Sequence, residues 1–100
     1  MYRGTTPAFD FKLNTDIDLE QVEALYVTFK SRSKELSFDR DGCTINNETK
    51  TISVRLTQEQ TLQFSAGNVS VQIRLRVGKE AYATPVKNID ISQILKDGVI

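Results

Sequence analysis

The chain has 100 residues, 39% hydrophobic and 26% charged, with thirteen basic and thirteen acidic side chains that cancel to a formal charge of zero. That composition excludes a disordered chain, and the neutral balance argues against a nucleic-acid binder, which draws most of its affinity from a basic excess. There is no histidine and a single cysteine, Cys43, so Ser-His and Cys-His nucleophiles, an internal disulfide and most zinc sites are ruled out.

In chain order, alternation with a period of two dominates. Phe9, Phe11 and Leu13 alternate with Asp10 and Lys12 and predict a first strand. Asp18-Leu19-Glu20-Gln21 carries a weak helix-start signal. Leu25, Val27 and Phe29 predict a second strand, and Leu36 with Phe38 a short third one, closed by the turn signal Asp39-Arg40-Asp41-Gly42. Cys43 and Ile45 share one parity before a turn at Asn46-Asn47, and Ile52, Val54 and Leu56 form the next strand. Thr57-Gln58-Glu59-Gln60 fits a capping box that starts a helical turn. Leu62 and Phe64 would then cover one end of the core, and Ala66-Gly67 would close the turn.

The clearest strand is Val69–Val77, where every odd residue is aliphatic and every even one polar. A strand puts those five aliphatic groups on one face, worth about 8–15 kcal/mol of burial before entropy is counted, whereas a helix would scatter them. Gly78-Lys79 predicts a hairpin turn into Glu80–Thr84. The inward parity then slips between Val86 and Ile89, with Pro85 at the slip, which implies a bulge or an edge strand lacking a ladder donor. Ile94–Ile100 is an apolar tail, either a last strand or an arm reaching a neighbour. The whole reads as one domain over residues 1–100, an all-β, antiparallel, immunoglobulin-like sandwich of about seven strands with one or two short helical turns.

Several motifs have bland readings. Ser37-Phe38-Asp39-Arg40-Asp41-Gly42 with Glu48 partly imitates a calcium loop, but Ser stands where the first Asp is wanted and strands flank it, so its carboxylates are turn formers. Asn47-Glu48-Thr49 and Asn68-Val69-Ser70 match the glycosylation sequon by chance. Cys43 sits in an apolar alternation as an inert core thiol. Scattered carboxylates such as Asp16 and Asp18 have no oriented base beside them, so no catalytic residue, metal site or cofactor is assigned and the chain is not read as an enzyme. Arg74 and Arg76 project from one face of a strand, with Arg55 expected on a neighbouring one. They form a solvated face or a partner-binding stripe, to which Tyr26 or Tyr82 would add an aromatic anchor. No apolar run is long enough to cross a membrane, and the first residues lack the apolar stretch of a secretory signal, so synthesis in a cytoplasm is expected.

The opening Met1-Tyr2-Arg3-Gly4-Thr5-Thr6-Pro7, the strand Ala24–Lys30, the box Val54–Leu62, the run Val71-Gln72-Ile73-Arg74 and the ending Ile94–Ile100 come in an order that resembles a family of short prophage-encoded proteins from gut Firmicutes. More distantly, the layout is similar to the amino-terminal immunoglobulin-like domain of phage baseplate upper proteins, which join receptor-binding parts to the tail. The resemblance implies a non-enzymatic virion-structural protein, a tail or baseplate accessory made in the bacterial host cytoplasm. It implies contacts with other tail proteins or with itself, and none with nucleic acid or membrane. The surfaces expected to carry those contacts are Tyr26, Arg55, Arg74 and Arg76 on the strands and Leu95, Val99 and Ile100 in the tail. A module that binds a bacterial surface glycan or another ligand is the alternative.

Overall fold

Along the longest strand, alternation becomes burial: Val69, Val71, Ile73 and Leu75 are all buried, and the residues between them are not. The computed structural model describes residues 1–32 and 34–100. The strands are β1 Ala8–Lys12, β2 Ala24–Lys30, β3 Glu35–Phe38, β4 Thr44–Asn46, β5 Thr51–Arg55, β6 Gly67–Val77, β7 Glu80–Ala83 and β8 Lys87–Ile91. One short helix, α1 Gln58–Leu62, and two 3-10 turns, Leu19–Gln21 and Arg40–Gly42, interrupt them. Among the described residues no helix is long and apolar enough to cross a membrane.

All strand pairs are antiparallel and fall into two sheets, β1-β5-β4 and β3-β2-β6 with β7 and β8 both on the far side of β6. In the immunoglobulin scheme the first sheet occupies positions B, E and D, and the second C′, C, F and G. The eight strands thus fill seven positions, because β7 and β8 share one of them. An isolated parallel bridge from Tyr2 to Ser92 ties the start of the chain to that same side.

The break between β7 and β8 is the parity slip around Pro85. Arg74 pairs with Ala83 while Val71 pairs with Lys87, so Thr84, Pro85 and Val86 lie opposite only Gln72 and Ile73. One extra residue makes a bulge. Thr84 repairs the ladder: its hydroxyl accepts from the Ile73 amide (3.1 Å), its own amide donates to the Ile73 carbonyl (2.9 Å), and its carbonyl accepts from Gln72 Nε2 (2.8 Å).

The core lies between the sheets. Phe29, on the central strand β2, packs against Phe9 and Phe11 of the facing sheet (centroids 5.6 and 6.5 Å) and edge-on against Phe38 (6.0 Å). Ile52, Val54 and Leu56 close the core from the smaller sheet. Leu19 reaches in from its 3-10 turn, which Asp18 caps and Asn47 holds by accepting the Leu19 amide (2.9 Å) and donating to Asp18 (2.8 Å).

At one end, α1 starts on the expected capping box. Thr57 Oγ1 accepts from the Gln60 amide (3.2 Å), and Gln60 Oε1 accepts from the Thr57 amide (2.8 Å). The helix stops earlier than expected, at Leu62, and Gly67 is the first residue of β6 rather than the helix stop. The reason is a side chain from far away. Arg3 Nε donates to the Phe64 carbonyl (2.7 Å) and its terminal nitrogen to the Leu62 carbonyl (3.1 Å), satisfying acceptors that another helical turn would have used. Phe64 is left fully buried under the sandwich end.

The carboxy-terminal segment is not the last strand that was one of the two forms expected for it. Residues 93–100 form no strand and fold back onto the body. Arg3 donates to Gln93 Oε1 (2.7 Å) and pairs with Asp97 (3.4 Å), while Gln58 and Ile100 exchange two hydrogen bonds of 2.8 and 3.1 Å. Gly4 permits this closure: its φ is +72°, and a Cβ there would lie 3.0 Å from Ile94 and 3.3 Å from Leu62.

Candidate functional site

The sequence points to the arginine-bearing face of the larger sheet, and register decides which residues share it. Directly opposed residues project to the same side of a sheet. Tyr26 on β2 stands opposite Arg74 on β6, which stands opposite Ala83 on β7. One rung along, Ala24, Arg76 and Ala81 form a parallel row. Both rows point away from the core, since the buried Leu25, Val27, Ile73 and Leu75 have the opposite parity.

The outcome is an aromatic ring and a guanidinium flanked by alanines. Tyr26 is 51% exposed on a central strand, and a depression of about 200 Å3 lies among Ala24, Tyr26, Arg74, Leu75, Arg76 and Ala81. A second hollow of about 360 Å3 continues along the same face past Thr28, Gln72 and Arg74.

The two arginines differ. Arg76 bridges Glu23 (2.9 Å) and donates to the Gly78 carbonyl (2.7 Å), while Glu23 also accepts the Gly78 amide (3.2 Å). Arg76 therefore pins the Gly78-Lys79 hairpin, whose glycine needs its φ of +59°. Arg74 has no ion pair or side-chain hydrogen bond among the described residues and keeps its donors free.

Two sequence expectations need correction. Arg55 is not beside Arg74: it lies on β5, opposite Ala8, in the other sheet of the sandwich. Tyr82 does not share the outer face either. It stands opposite the inward Leu75 and lines a side groove of about 250 Å3 with Leu13, Ile17 and Pro85. The tail residues Leu95, Val99 and Ile100 are exposed, but they belong to the Arg3–α1 end, and among the described residues no strand pairing joins them to the strand face.

The remaining candidates are structural. Asp39 caps the 3-10 turn by accepting the Gly42 amide (3.1 Å), and the Arg40 guanidinium donates to the Val22 carbonyl. Among the described residues no group of three or more His, Cys, Asp or Glu could hold a metal. Burial, reinforced by Asp39, pushes the Cys43 thiol up to about 11, the opposite of what a nucleophile needs.

Alternation alone missed Arg3, whose partners lie 59 to 94 residues away. It also passed over the three cations Lys30, Arg32 and Lys34 within five residues of the first hairpin, a cluster visible as local charge.

No family model matches the sequence, and no curated protein matches it. Among solved structures the fold is similar to part of a candidate glycoside hydrolase from Bacteroides vulgatus, with a TM-score of 0.57 and 13% identity. The alignment covers 95% of this chain and 16% of that one. At that identity the likeness speaks for the sandwich fold alone.

Proposed function

We propose that this chain is a non-enzymatic contact module, a tail or baseplate adaptor of prophage origin, that docks on protein partners through the outer face of its larger sheet. The observation that carries the docking reading is the Tyr26–Arg74 pair: a half-exposed aromatic on a central strand, opposite a guanidinium with no partner of its own, on a floor lowered by Ala81 and Ala83. Tyr and Arg are the residue types that dominate interface energies, because they bring large contact area and directional donors at modest entropic cost. The assignment to a phage particle rests on the sequence resemblance. In that setting the exposed tail residues Leu95, Val99 and Ile100 supply a second contact, to a neighbour or to another copy.

After induction of a prophage-bearing host, the chain is expected to sediment with assembled particles. Tyr26→Ser with Arg74→Glu should leave it in the soluble fraction, and removal of Leu95–Ile100 should weaken retention. A chain that stays out of the particles, or whose face variant is retained as well as the wild type, would overturn the reading.

The exposed Tyr26 ring also favours the second reading, a sugar-contacting face, since rings stack on sugars. Tyrosine fluorescence that fails to change across a panel of cell-wall oligosaccharides would remove it.

A further inference from the structure

A larger hollow lies beyond the arginine-bearing rungs. Where β2 runs into the first hairpin and the chain enters β6, a groove of about 820 Å3 opens between Lys30 and Arg32 on one side and Ser65, Ala66, Gly67 and Asn68 on the other. Its chemistry is one-sided. Neither Lys30 nor Arg32 has an ion pair among the described residues. The carboxylates nearest in the ladder, Glu35 opposite Lys30 and Asp90 opposite Asn68, do not line it.

The neutral donors are also uncommitted. The side chains of Ser65 and Asn68, and the backbone amides of Ser65 and Ala66, make no hydrogen bond among the described residues. At Gly67, with φ +136°, no heavy atom lies within 4 Å of a Cβ position, so the backbone there is open to close approach.

We propose that this groove binds a phosphate-type oxyanion. Residues bearing a guanidinium fork and an ammonium line one concavity together with hydroxyl and amide groups, a donor set of the kind that recognises tetrahedral oxyanions. Glu35 stands opposite Lys30 and shares the adjoining hollow with it, but among the described residues no acid lines the groove itself, so its cationic donors suit the oxyanion of a phosphate ester. The site does not depend on the docking role of the Tyr26–Arg74 face.

The probe is glycerol 3-phosphate, titrated into the full chain labelled with 15N at constant ionic strength, with sodium chloride as reference. Saturable shifts of the Ser65, Gly67 and Asn68 amides are expected. Binding should weaken by about tenfold or more in the Lys30→Gln, Arg32→Gln double variant, which removes both charge-assisted contacts, and stay unchanged in Arg74→Gln. Both cations are exposed, so unchanged core resonances would show that the double variant keeps its fold. Vesicles of phosphatidylglycerol assign the source of the phosphate. Retention lost in the double variant places it on a lipid surface, and binding of the soluble ester without retention places it on a free ligand. Shifts reproduced by chloride, or equal in wild type and double variant, would overturn the site.

Discussion

β6 and the segment after β8 contain nearly the same proportion of aliphatic residues, five in the eleven of Gly67–Val77 and four in the nine of residues 92–100, yet their fates are opposite. In β6 the aliphatic groups recur at every second position and the strand has partners on both sides, so four of the five are buried. In the tail they come as Ile94-Leu95 and Val99-Ile100, in a spacing that suits neither face of a sheet, and Leu95, Val99 and Ile100 stay in solvent. Apolar content alone buries nothing. In β6, periodicity matched to neighbouring strands does, while the tail is held by polar contacts such as those of Arg3 and Gln58.

The contrast can be broken most strongly in β6. Ile73→Ala removes buried volume between the sheets and should cost about 2–5 kcal/mol in urea denaturation; a loss below 1 kcal/mol would mean that the core collapses around the gap. Arg3→Gln tests the polar route. It strips the Leu62 and Phe64 carbonyls of their donor and releases Gln93 and Asp97, for an expected loss of about 1–3 kcal/mol. Amide exchange in residues 93–100 should rise while β6 stays protected, and equal acceleration in both would show that the tail is not held separately. The smallest effect belongs to Leu95→Ser, expected within about 0.5 kcal/mol of wild type by thermal melting. A large destabilisation would show that the tail packs after all.

The same contrast explains what the sequence made legible. Alternation identifies faces, so β1, β2, β5 and β6 and their buried residues could be read directly, and Pro85 marked the slip between β7 and β8 because a residue without an N–H interrupts a ladder. Alternation does not identify neighbours. Arg55 and Arg74 have suitable parity in their own strands, but which strands adjoin depends on long-range pairing, and they fell in different sheets. Gly67 was ambiguous for a local reason: a glycine can close a helix or begin a strand, and the Arg3 side chain that bonds the Leu62 and Phe64 carbonyls past α1 comes from far away in the sequence. Within the candidate site the Arg74–Arg76 face was legible. Its partition into one free guanidinium and one hairpin brace was not, because Glu23 lies 53 residues away from Arg76.

The bulge at Thr84–Val86 also bears on what the edge of the larger sheet can pair with. A strand approaching the larger sheet from the β7–β8 side meets a register that shifts by one residue partway along, and Pro85, which has no hydrogen to give. A cross-β ribbon cannot propagate through such an interruption. The opposite margin, β3, offers only the four residues Glu35–Phe38, beginning with a charge. Both margins of the larger sheet therefore disfavour edge-to-edge extension.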